Sequence, residues 1–226
     1  MTLGIVFDLD DTLYLERDYV ASGFRHLASF IADETLLPRA ELSNYLWNGF
    51  AEGRRGTAFD DLLAAFPAAE TFSISELVER YRSHPPDITL GPGVRTTLEQ
   101  LKEQSYRVGL VSDGPLAAQT AKVNALGLTG FFDPMVLTDA WDPEYAKPHP
   151  RAFALIEKTW KLSGPQVAYV ADNPLKDFVA PRRRGWRTIR VRTPGQLNFG
   201  HEAPVADFAP DDVCDSVESA CERLLA

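Results

Sequence analysis

Three aspartates crowd into four positions of the stretch IVFDLDDTLY, residues 5–14, directly after an apolar run. If that run is a strand, Asp8 and Asp10 point to one side and Asp11 to the other, because side chains alternate along an extended chain. Carboxylates that share one side of a strand end repel each other unless a cation compensates them. We interpret Asp11 as a solvated turn residue without a role in the chemistry.

Further polar side chains follow other apolar runs of the chain. Ser112 and Asp113 end the stretch RVGLVSD, Asp172 follows VAYVA, and Asp177 comes five residues later. Lys147 lies in EYAKPHP, just before a helical pattern. A hard divalent cation, Mg²⁺, prefers a few carboxylates, a carbonyl oxygen and retained waters, often completed by phosphate oxygens. We therefore expect a magnesium ion among these carboxylates.

Strand and helix patterns alternate around these residues. Apolar, β-branched runs predict strands at residues 3–7, 107–111, 167–171 and 187–191, with a weaker one at 134–137. Helical patterns lie between them at residues 93–104, 116–126, 150–162 and 175–184. The alternation predicts an α/β fold with a Rossmann-like parallel sheet. The carboxyl ends of parallel strands share one edge, where ligands bind, so the candidate residues would meet there.

The stretch 15–88 contains helical patterns and no convincing buried strand, and the prolines of SHPPD end it. It predicts a helical cap domain (15–88) inserted into an α/β core domain (1–14 and 89–226). Within the insert, Arg54 and Arg55 lie in EGRRGTAFDD, where they could meet a second anionic group of a substrate. A solvated turn between helices is the alternative.

The C-terminal third carries three weaker patterns. ADFAP, residues 206–210, predicts a short edge strand, and residues 211–226 predict an amphipathic helix with Val213, Val217, Cys221 and Leu224 on one face. That face packs on the sheet or on a second subunit, which leaves a homodimer open. The basic cluster at 181–192 is interpreted as a solvated helix end followed by an edge strand.

Composition excludes several classes of protein. The 226 residues are 45% hydrophobic and 24% charged, which is typical of a soluble globular protein. A net charge of −9 argues against a nucleic-acid partner. No stretch reaches the roughly 20 apolar residues of a membrane span. The start MTLGIVFDLD lacks the features of a secretory signal and the chain has only two cysteines, so we expect a cytoplasmic location.

Taken together, DLDDT, VSDG, the lysine of AKPHP and ADNPLKD resemble the four motifs of the haloacid dehalogenase (HAD) superfamily, in the family's order. The helical insert falls between the first and second motifs, where that family places a C1-type cap. The resemblance implies that Asp8 is a nucleophile that becomes an aspartyl phosphate and that Asp10 is the general acid and then the general base. Ser112 would hydrogen-bond the phosphoryl group, and Lys147 would neutralise it.

The resemblance also assigns binding roles. Asp8 and Asp172 would bind Mg²⁺ together with the backbone carbonyl of Asp10, and Asp177 and Asn173 would orient the metal site or the lysine. Around the phosphate, the residues expected to bind or position the substrate are Thr12, Asp113 and Gly114, with Arg54 and Arg55 in the cap.

These roles predict a Mg²⁺-dependent phosphatase that hydrolyses a small phosphate monoester, a sugar phosphate or a nucleotide-like compound. A phosphomutase, which keeps water from the phospho-aspartate, is one alternative, and a catalytically idle binding module of the same fold is another. A dehalogenase of the superfamily typically lacks a carboxylate at the position of Asp10 and works without Mg²⁺, so it ranks below these. The partner would be a small phosphorylated metabolite.

Overall fold

A computed structural model describes residues 2–226 and contains, within that range, six strands and nine α-helices. The strands are β1 (Gly4–Phe7), β2 (Arg107–Ser112), β3 (Met135–Leu137), β4 (Val167–Ala171), β5 (Arg187–Val191) and β6 (Asp212–Cys214). The helices are α1 (Glu16–Glu34), α2 (Arg39–Ala51), α3 (Ala58–Ala65), α4 (Ile74–Ser83), α5 (Val94–Glu103), α6 (Leu116–Ala125), α7 (Arg151–Trp160), α8 (Val179–Arg183) and α9 (Val217–Leu225). None of these helices is both long and apolar enough to cross a membrane.

All six strands are parallel and lie in the order β3-β2-β1-β4-β5-β6. The strand order reverses at β1, which pairs with β2 on one side and β4 on the other. The predicted α/β fold with a Rossmann-like parallel sheet is confirmed. Such a reversal opens a crevice at the carboxyl edge of the sheet. Asp8 follows β1 there, Ser112 ends β2, and Asp172 follows β4.

The central strands are buried on both faces, which explains why they appear in the sequence as continuous apolar runs. Ile5, Val6 and Phe7 are fully buried. On one face of the sheet, Val6 packs in a cluster with Phe153 and Trp160 of α7. This packing fixes the strands relative to one another, so the polar residues at their carboxyl ends lie at one edge of the sheet.

The chain divides into two compact units, residues 1–17 with 89–226 and residues 18–88. The second unit is helical and has its own hydrophobic core. The fully buried leucines and isoleucine of that core are Leu27, Ile31, Leu42, Leu46, Leu62 and Leu77. Ser73 begins α4 because its hydroxyl accepts the backbone N–H of Glu76. That the predicted segment, residues 15–88, acts as a cap stays a prediction.

The predictions for the C-terminal segment were partly wrong. Residues Ala206–Phe208 form one turn of 3₁₀-helix, and the edge strand is β6 instead. The last helix begins only at Val217, because the hydroxyl of Ser216 accepts the N–H of Ser219 and caps it. Val213 therefore lies on a strand and is 55% exposed, rather than on the apolar face of the helix.

The interpretation of the basic cluster at 181–192 was partly wrong: α8 does end in arginines, of which Arg183 is exposed, but the strand that follows it is not an edge strand. Strand β5 lies inside the sheet, between β4 and β6. Arg190 is buried, and its guanidinium donates hydrogen bonds to the backbone carbonyls of Asn198 and His201. Arg182 likewise donates to the carbonyls of Ala206 and Ala209. These arginines hold the loop after β5, because each donates hydrogen bonds to two of its backbone carbonyls.

We predict that Gly4→Ala destabilises the protein by about 1–3 kcal/mol, the usual cost of overpacking a core. A Cβ atom at Gly4 would lie 2.6 Å from the ring of Trp160, whose indole N–H is fixed by the carbonyl of Asp133. Urea denaturation measures the loss. Gly200→Ala is the matched control, because nothing lies within 4 Å of a Cβ atom there. Equal stability of the two variants would contradict the packing described here.

Candidate active site

A buried ion pair joins the ends of two segments that are far apart in the chain. Asp8, 5% exposed, accepts a hydrogen bond from the ammonium group of Lys147, with 2.7 Å between Nζ and Oδ1. The same ammonium lies 2.8 Å from Oδ1 of Asp177 and donates to the hydroxyl of Tyr169 at 3.0 Å. One lysine thus compensates two buried carboxylates and holds the Asp8 side chain in place.

Burial and the charge of the partner have opposite effects on the pKa values of Asp8 and Lys147. Burial raises the pKa of Asp8 to about 7; the charge of Lys147 opposes this rise, whereas that of Asp177 adds to it. Burial lowers the pKa of Lys147, but Asp177 and Asp8 outweigh burial and raise it well above its ordinary value. The lysine is therefore a permanent cation in the interior of the site.

A third carboxylate completes a cluster of oxygen atoms. One oxygen each of Asp8, Asp172 and Asp177 lie within 4.8 Å of one another, and all three residues are buried. Burial, followed by the charges of Asp177 and Asp8, raises the pKa of Asp172 well above its ordinary value. Buried carboxylate oxygens that lie this close together fit a hard divalent cation, because the cation relieves their repulsion. The residues brought together include two of the predicted metal ligands, Asp8 and Asp172.

Two predicted binding residues have hydroxyl groups that bond to no other group among residues 2–226. The hydroxyl oxygens of Ser112 and Thr12 are buried and have no hydrogen-bond partner in that range. Leaving a buried hydroxyl unpaired costs about 1–3 kcal/mol, so each one in a folded protein needs an explanation. Ser112 ends β2 at the carboxyl edge of the sheet, where an oxygen of a ligand would satisfy its hydroxyl group.

The side chain of Asp113 holds the loop after β2 to neighbouring segments of the chain. The carboxylate of Asp113 accepts hydrogen bonds from the hydroxyl of Thr138, the N–H of Lys147 and the ammonium of Lys176. Burial raises the pKa of Asp113, but the two lysines outweigh it and the net change is a decrease. Asp113 thus joins three segments at the site, and its predicted contact with substrate stays a prediction.

Gly114 continues this loop with a φ of +124°, in a region that only glycine adopts freely. A Cβ atom there would lie 2.7 Å from the amide nitrogen of Gln119. The glycine is therefore required by the path of the loop. That its N–H group binds substrate stays a prediction.

The carboxylate of Asp10 does not belong to the cluster of Asp8, Asp172 and Asp177, and it has its own hydrogen-bond donors. Its Oδ1 accepts from Lys122 at 2.7 Å and from the hydroxyl of Tyr14, and its Oδ2 accepts from the amide of Gln119 at 2.7 Å. Burial raises the pKa of Asp10, but Lys122, Tyr14 and Gln119 together outweigh it and lower the pKa. The backbone carbonyl of Asp10 stays a predicted metal ligand.

Sequence reasoning missed Gln119 and Lys122. Both are buried on α6, three residues apart, and therefore lie on one face of that helix. A glutamine and a lysine at this spacing, one turn after VSDG, are the signal that could have revealed them. Long polar side chains on the first turns of a helix that follows a functional strand end can reach back to that edge.

The interpretation of Asp11 as a solvated turn residue was wrong. Asp11 is only 2% exposed and has a φ of 56°, in the left-handed region. Its carboxylate accepts the backbone N–H groups of Glu16 at 2.8 Å and Leu197 at 2.6 Å, and its carbonyl accepts the amide of Gln196. Strand alternation ends at Phe7, so it does not decide where this side chain points. Asp11 joins the start of α1 to the loop after β5.

Asn173 and Asp177 form a turn rather than the start of a helix. The carboxylate of Asp177 accepts the N–H of Asn173 at 2.9 Å, and the side-chain oxygen of Asn173 accepts the N–H of Leu175. Because this turn uses these N–H groups, α8 begins at Val179 and not at 175 as predicted. The turn points Asp177 at Lys147, in line with the orienting role expected of it.

Arg54 and Arg55 lie in the second unit. Arg54 forms ion pairs with Glu52 and, at 3.5 Å, with Asp61, and both residues of the arginine pair are exposed. The guanidinium of Arg55 lies 5.0 Å from the ring centroid of Phe50. Their contact with substrate stays a prediction.

The charged residues of the first unit surround a cavity of about 120 Å³. Its lining residues are Asp8, Asp10, Glu16, Asp113, Asp172, Asn173, Lys176 and Asn198. Asn198 donates a hydrogen bond to Asp172 at 3.1 Å. Burial, followed by the charge of Asp10, raises the pKa of Glu16 to about 7. Sequence reasoning did not anticipate Glu16, Lys176 or Asn198 in this cavity.

The fold is a parallel α/β sheet with a charged cavity at its carboxyl edge, and four of the residues that line this cavity are aspartates. The chain belongs to the haloacid dehalogenase-like hydrolases, because residues 5–191 match the model of that family. The resemblance noted in the four sequence motifs is thereby confirmed.

Named relatives and solved structures agree with this family. The chain is 29% identical over 203 residues to a glyceraldehyde 3-phosphate phosphatase of Methanocaldococcus jannaschii, covering 84% of this chain and 85% of that one. It is 27% identical over 218 residues to pyrophosphatase PpaX of Bacillus cereus, covering 93% of each. The structure of YfnB from Bacillus subtilis, bound to magnesium, superposes with a TM-score of 0.69 at 20% identity, covering 100% and 99% of the two chains.

We predict that Mg²⁺ raises the melting temperature of the protein by about 5–10 °C when present at a hundred times its dissociation constant. This follows from a gain of about 2.7 kcal/mol and a shift of roughly 2–4 °C per kcal/mol at this chain length. In Asp172→Asn the shift falls below about 2 °C, because one of the clustered carboxylates is lost. A thermal scan by circular dichroism, with and without Mg²⁺, measures both.

Asp207→Asn is the control for this experiment, because Asp207 is an exposed carboxylate paired with Arg183. It should keep the full response to Mg²⁺. A shift that survives in Asp172→Asn, or disappears in Asp207→Asn, would show that the ion stabilises the protein from elsewhere.

Proposed function

We propose that the protein is a Mg²⁺-dependent phosphatase that hydrolyses a small phosphate monoester through an aspartyl phosphate on Asp8. The observation that carries the proposal is the buried carboxylate of Asp8, held at 2.7 Å by Lys147 and adjacent to the carboxylate of Asp172. The names of the relatives, which are phosphatases, support the same class of reaction.

In the first step, an oxygen of Asp8 forms a bond to phosphorus as the bond between phosphorus and the ester oxygen breaks. The charge of Lys147 would compensate that of the transferring group, and the hydroxyl of Ser112 would donate a hydrogen bond to it, because the charge develops on its oxygens. Asp10, whose pKa is lowered in the free protein, takes up a proton when the substrate binds and gives it to the leaving oxygen. Mg²⁺, when bound by Asp8 and Asp172, would neutralise further charge on the phosphoryl group.

In the second step, a water molecule attacks the phosphorus of the aspartyl phosphate and restores Asp8. Asp10, now a carboxylate, takes a proton from that water. In the alternative function, a phosphomutase, a hydroxyl group of the substrate takes the place of this water. In an idle binding module, neither step occurs.

The charges that line the cavity bear on the class of substrate. Glu16 adds a carboxylate beside Asp10, and among residues 2–226 its side chain has no hydrogen-bond or ion-pair partner. A second anionic group next to the phosphate would meet this carboxylate and be repelled. We therefore propose that the preferred ester carries an uncharged, hydroxylated group. Pyrophosphate and phosphorylated acids would be poorer substrates.

We predict that Asp8→Asn lowers phosphate release from 4-nitrophenyl phosphate with Mg²⁺ by at least about 10³-fold, because the amide cannot act as the nucleophile. Release of inorganic phosphate measures turnover. Asp207→Asn should retain the wild-type rate. Turnover that persists in Asp8→Asn would refute the aspartyl phosphate, whereas wild-type conversion of a sugar phosphate without phosphate release would indicate a mutase.

A second prediction concerns specificity. At pH 8, above the pKa of about 7 of Glu16, the wild type should prefer glycerol 3-phosphate to 3-phosphoglycerate, which carries a carboxylate. In Glu16→Gln this preference should fall roughly tenfold in kcat/KM, since tenfold corresponds to only about 1.4 kcal/mol of repulsion. Steady-state kinetics with both esters give the ratio. An unchanged ratio would remove Glu16 from the recognition of substrate.

A further inference from the structure

The acid–base group of the proposed reaction is held by a helix that the four motifs do not include. We propose that Lys122, assisted by Gln119, is the positioning residue of Asp10, and that it fixes the carboxylate in the orientation needed to protonate the leaving group. The inference rests on the proposed function, because it assumes that Asp10 exchanges a proton with the ester oxygen and with water.

The contacts to Asp10 fill both of its oxygens. Lys122 is 4% exposed, and its ammonium lies 2.7 Å from Oδ1, while the amide of Gln119 lies 2.7 Å from Oδ2. The hydroxyl of Tyr14 also donates to Oδ1. Donors on both oxygens fix the rotation of the carboxylate about its bond to Cβ. A buried ammonium needs an anion, so the charge of Lys122 keeps the two groups together.

The same helix fixes the distance between the two loops that carry the reaction. The amide of Gln119 donates to the backbone carbonyl of Asp113 at 2.5 Å as well as to Asp10. Helix α6 is itself anchored at its start, where the N–H of Leu116 donates to the carboxylate of Asp139. Asp10 is therefore held against the loop after β2 by side chains of one rigid element, as positioning of a reactive group requires.

Lys122 does not line the cavity, whereas Asp10 does. Its effect on the reaction must then be indirect, through the orientation of Asp10. This distinguishes it from Lys147, which contacts the nucleophile Asp8, and from Lys176, which lines the cavity and pairs with Asp113. A loss of orientation affects only steps in which Asp10 transfers a proton.

The test compares leaving groups in Lys122→Met. Glycerol 3-phosphate releases an alkoxide that needs a proton, and general acid catalysis supplies about 10²–10⁴-fold of such a rate. Nitrophenolate leaves without one. We expect rapid-quench measurements to show formation of the aspartyl phosphate slowed about 10²-fold with glycerol 3-phosphate. With 4-nitrophenyl phosphate the burst should change by less than about threefold, followed by slow turnover, because hydrolysis still needs Asp10 as the base.

Matched variants separate orientation from a general structural effect. Lys122→Arg should restore part of the rate with glycerol 3-phosphate, because it retains the cation. In an Asp10→Asn background, Lys122→Met should cause no further loss, since the group that it positions is gone. Lys176→Met should reduce the rates with both leaving groups to a similar extent. Should Lys122→Met fail to fold, Gln119→Met removes one hydrogen bond to Asp10, and one to the carbonyl of Asp113, without a change of charge, and should show the same leaving-group pattern more weakly.

Equal losses with both leaving groups, or additive losses in the double variant, would overturn the role of Lys122. That result would leave the proposed function intact as long as Asp8→Asn is inactive. Conversely, if Asp8→Asn keeps its turnover, the aspartyl phosphate mechanism fails whatever the leaving-group pattern in Lys122→Met.

Discussion

The buried contact of one ammonium group with two carboxylates is the constraint on which the site depends. Lys147 binds Asp8 and Asp177 at 2.7 Å and 2.8 Å, in a place with almost no solvent. Unpaired charges of this kind would cost more than the domain could compensate. The segments that carry them must therefore close on one another, which brings the end of β1, the turn before α8 and the segment before α7 to a single point.

The two aspartates of the first motif pair with different lysines. Asp8 and Asp10 are two residues apart, yet Asp8 forms an ion pair with Lys147 and Asp10 forms one with Lys122. Burial dominates at Asp8 and raises its pKa, whereas hydrogen bonds and charge dominate at Asp10 and lower its pKa. Environments that separate the pKa values of neighbouring carboxylates are typical of sites where such groups have different roles. The two carboxylates therefore lie in different electrostatic environments.

The sheet and its carboxyl edge could be predicted from the sequence, because buried parallel strands are continuous apolar runs and polar residues stand where they end. Asp11 could not be placed, since its left-handed backbone is set by partners near residue 197. The turn at Asn173 was missed because side chains there replace helical hydrogen bonds. Lys122 was missed for a related reason: its partner is 112 residues away, and no local pattern encodes that distance.

The loop after β5 affects the order in which the parts of the pocket come together. Its Asn198 contacts Asp172, its Leu197 contacts Asp11, and Arg190 holds the loop to the sheet. All four sequence motifs lie before this loop, so a nascent chain that has just emerged as far as α8 already contains every one of them. The pocket nonetheless lacks its lining residue Asn198 until the loop after β5 has folded onto the sheet, so its assembly depends on a segment outside the motifs.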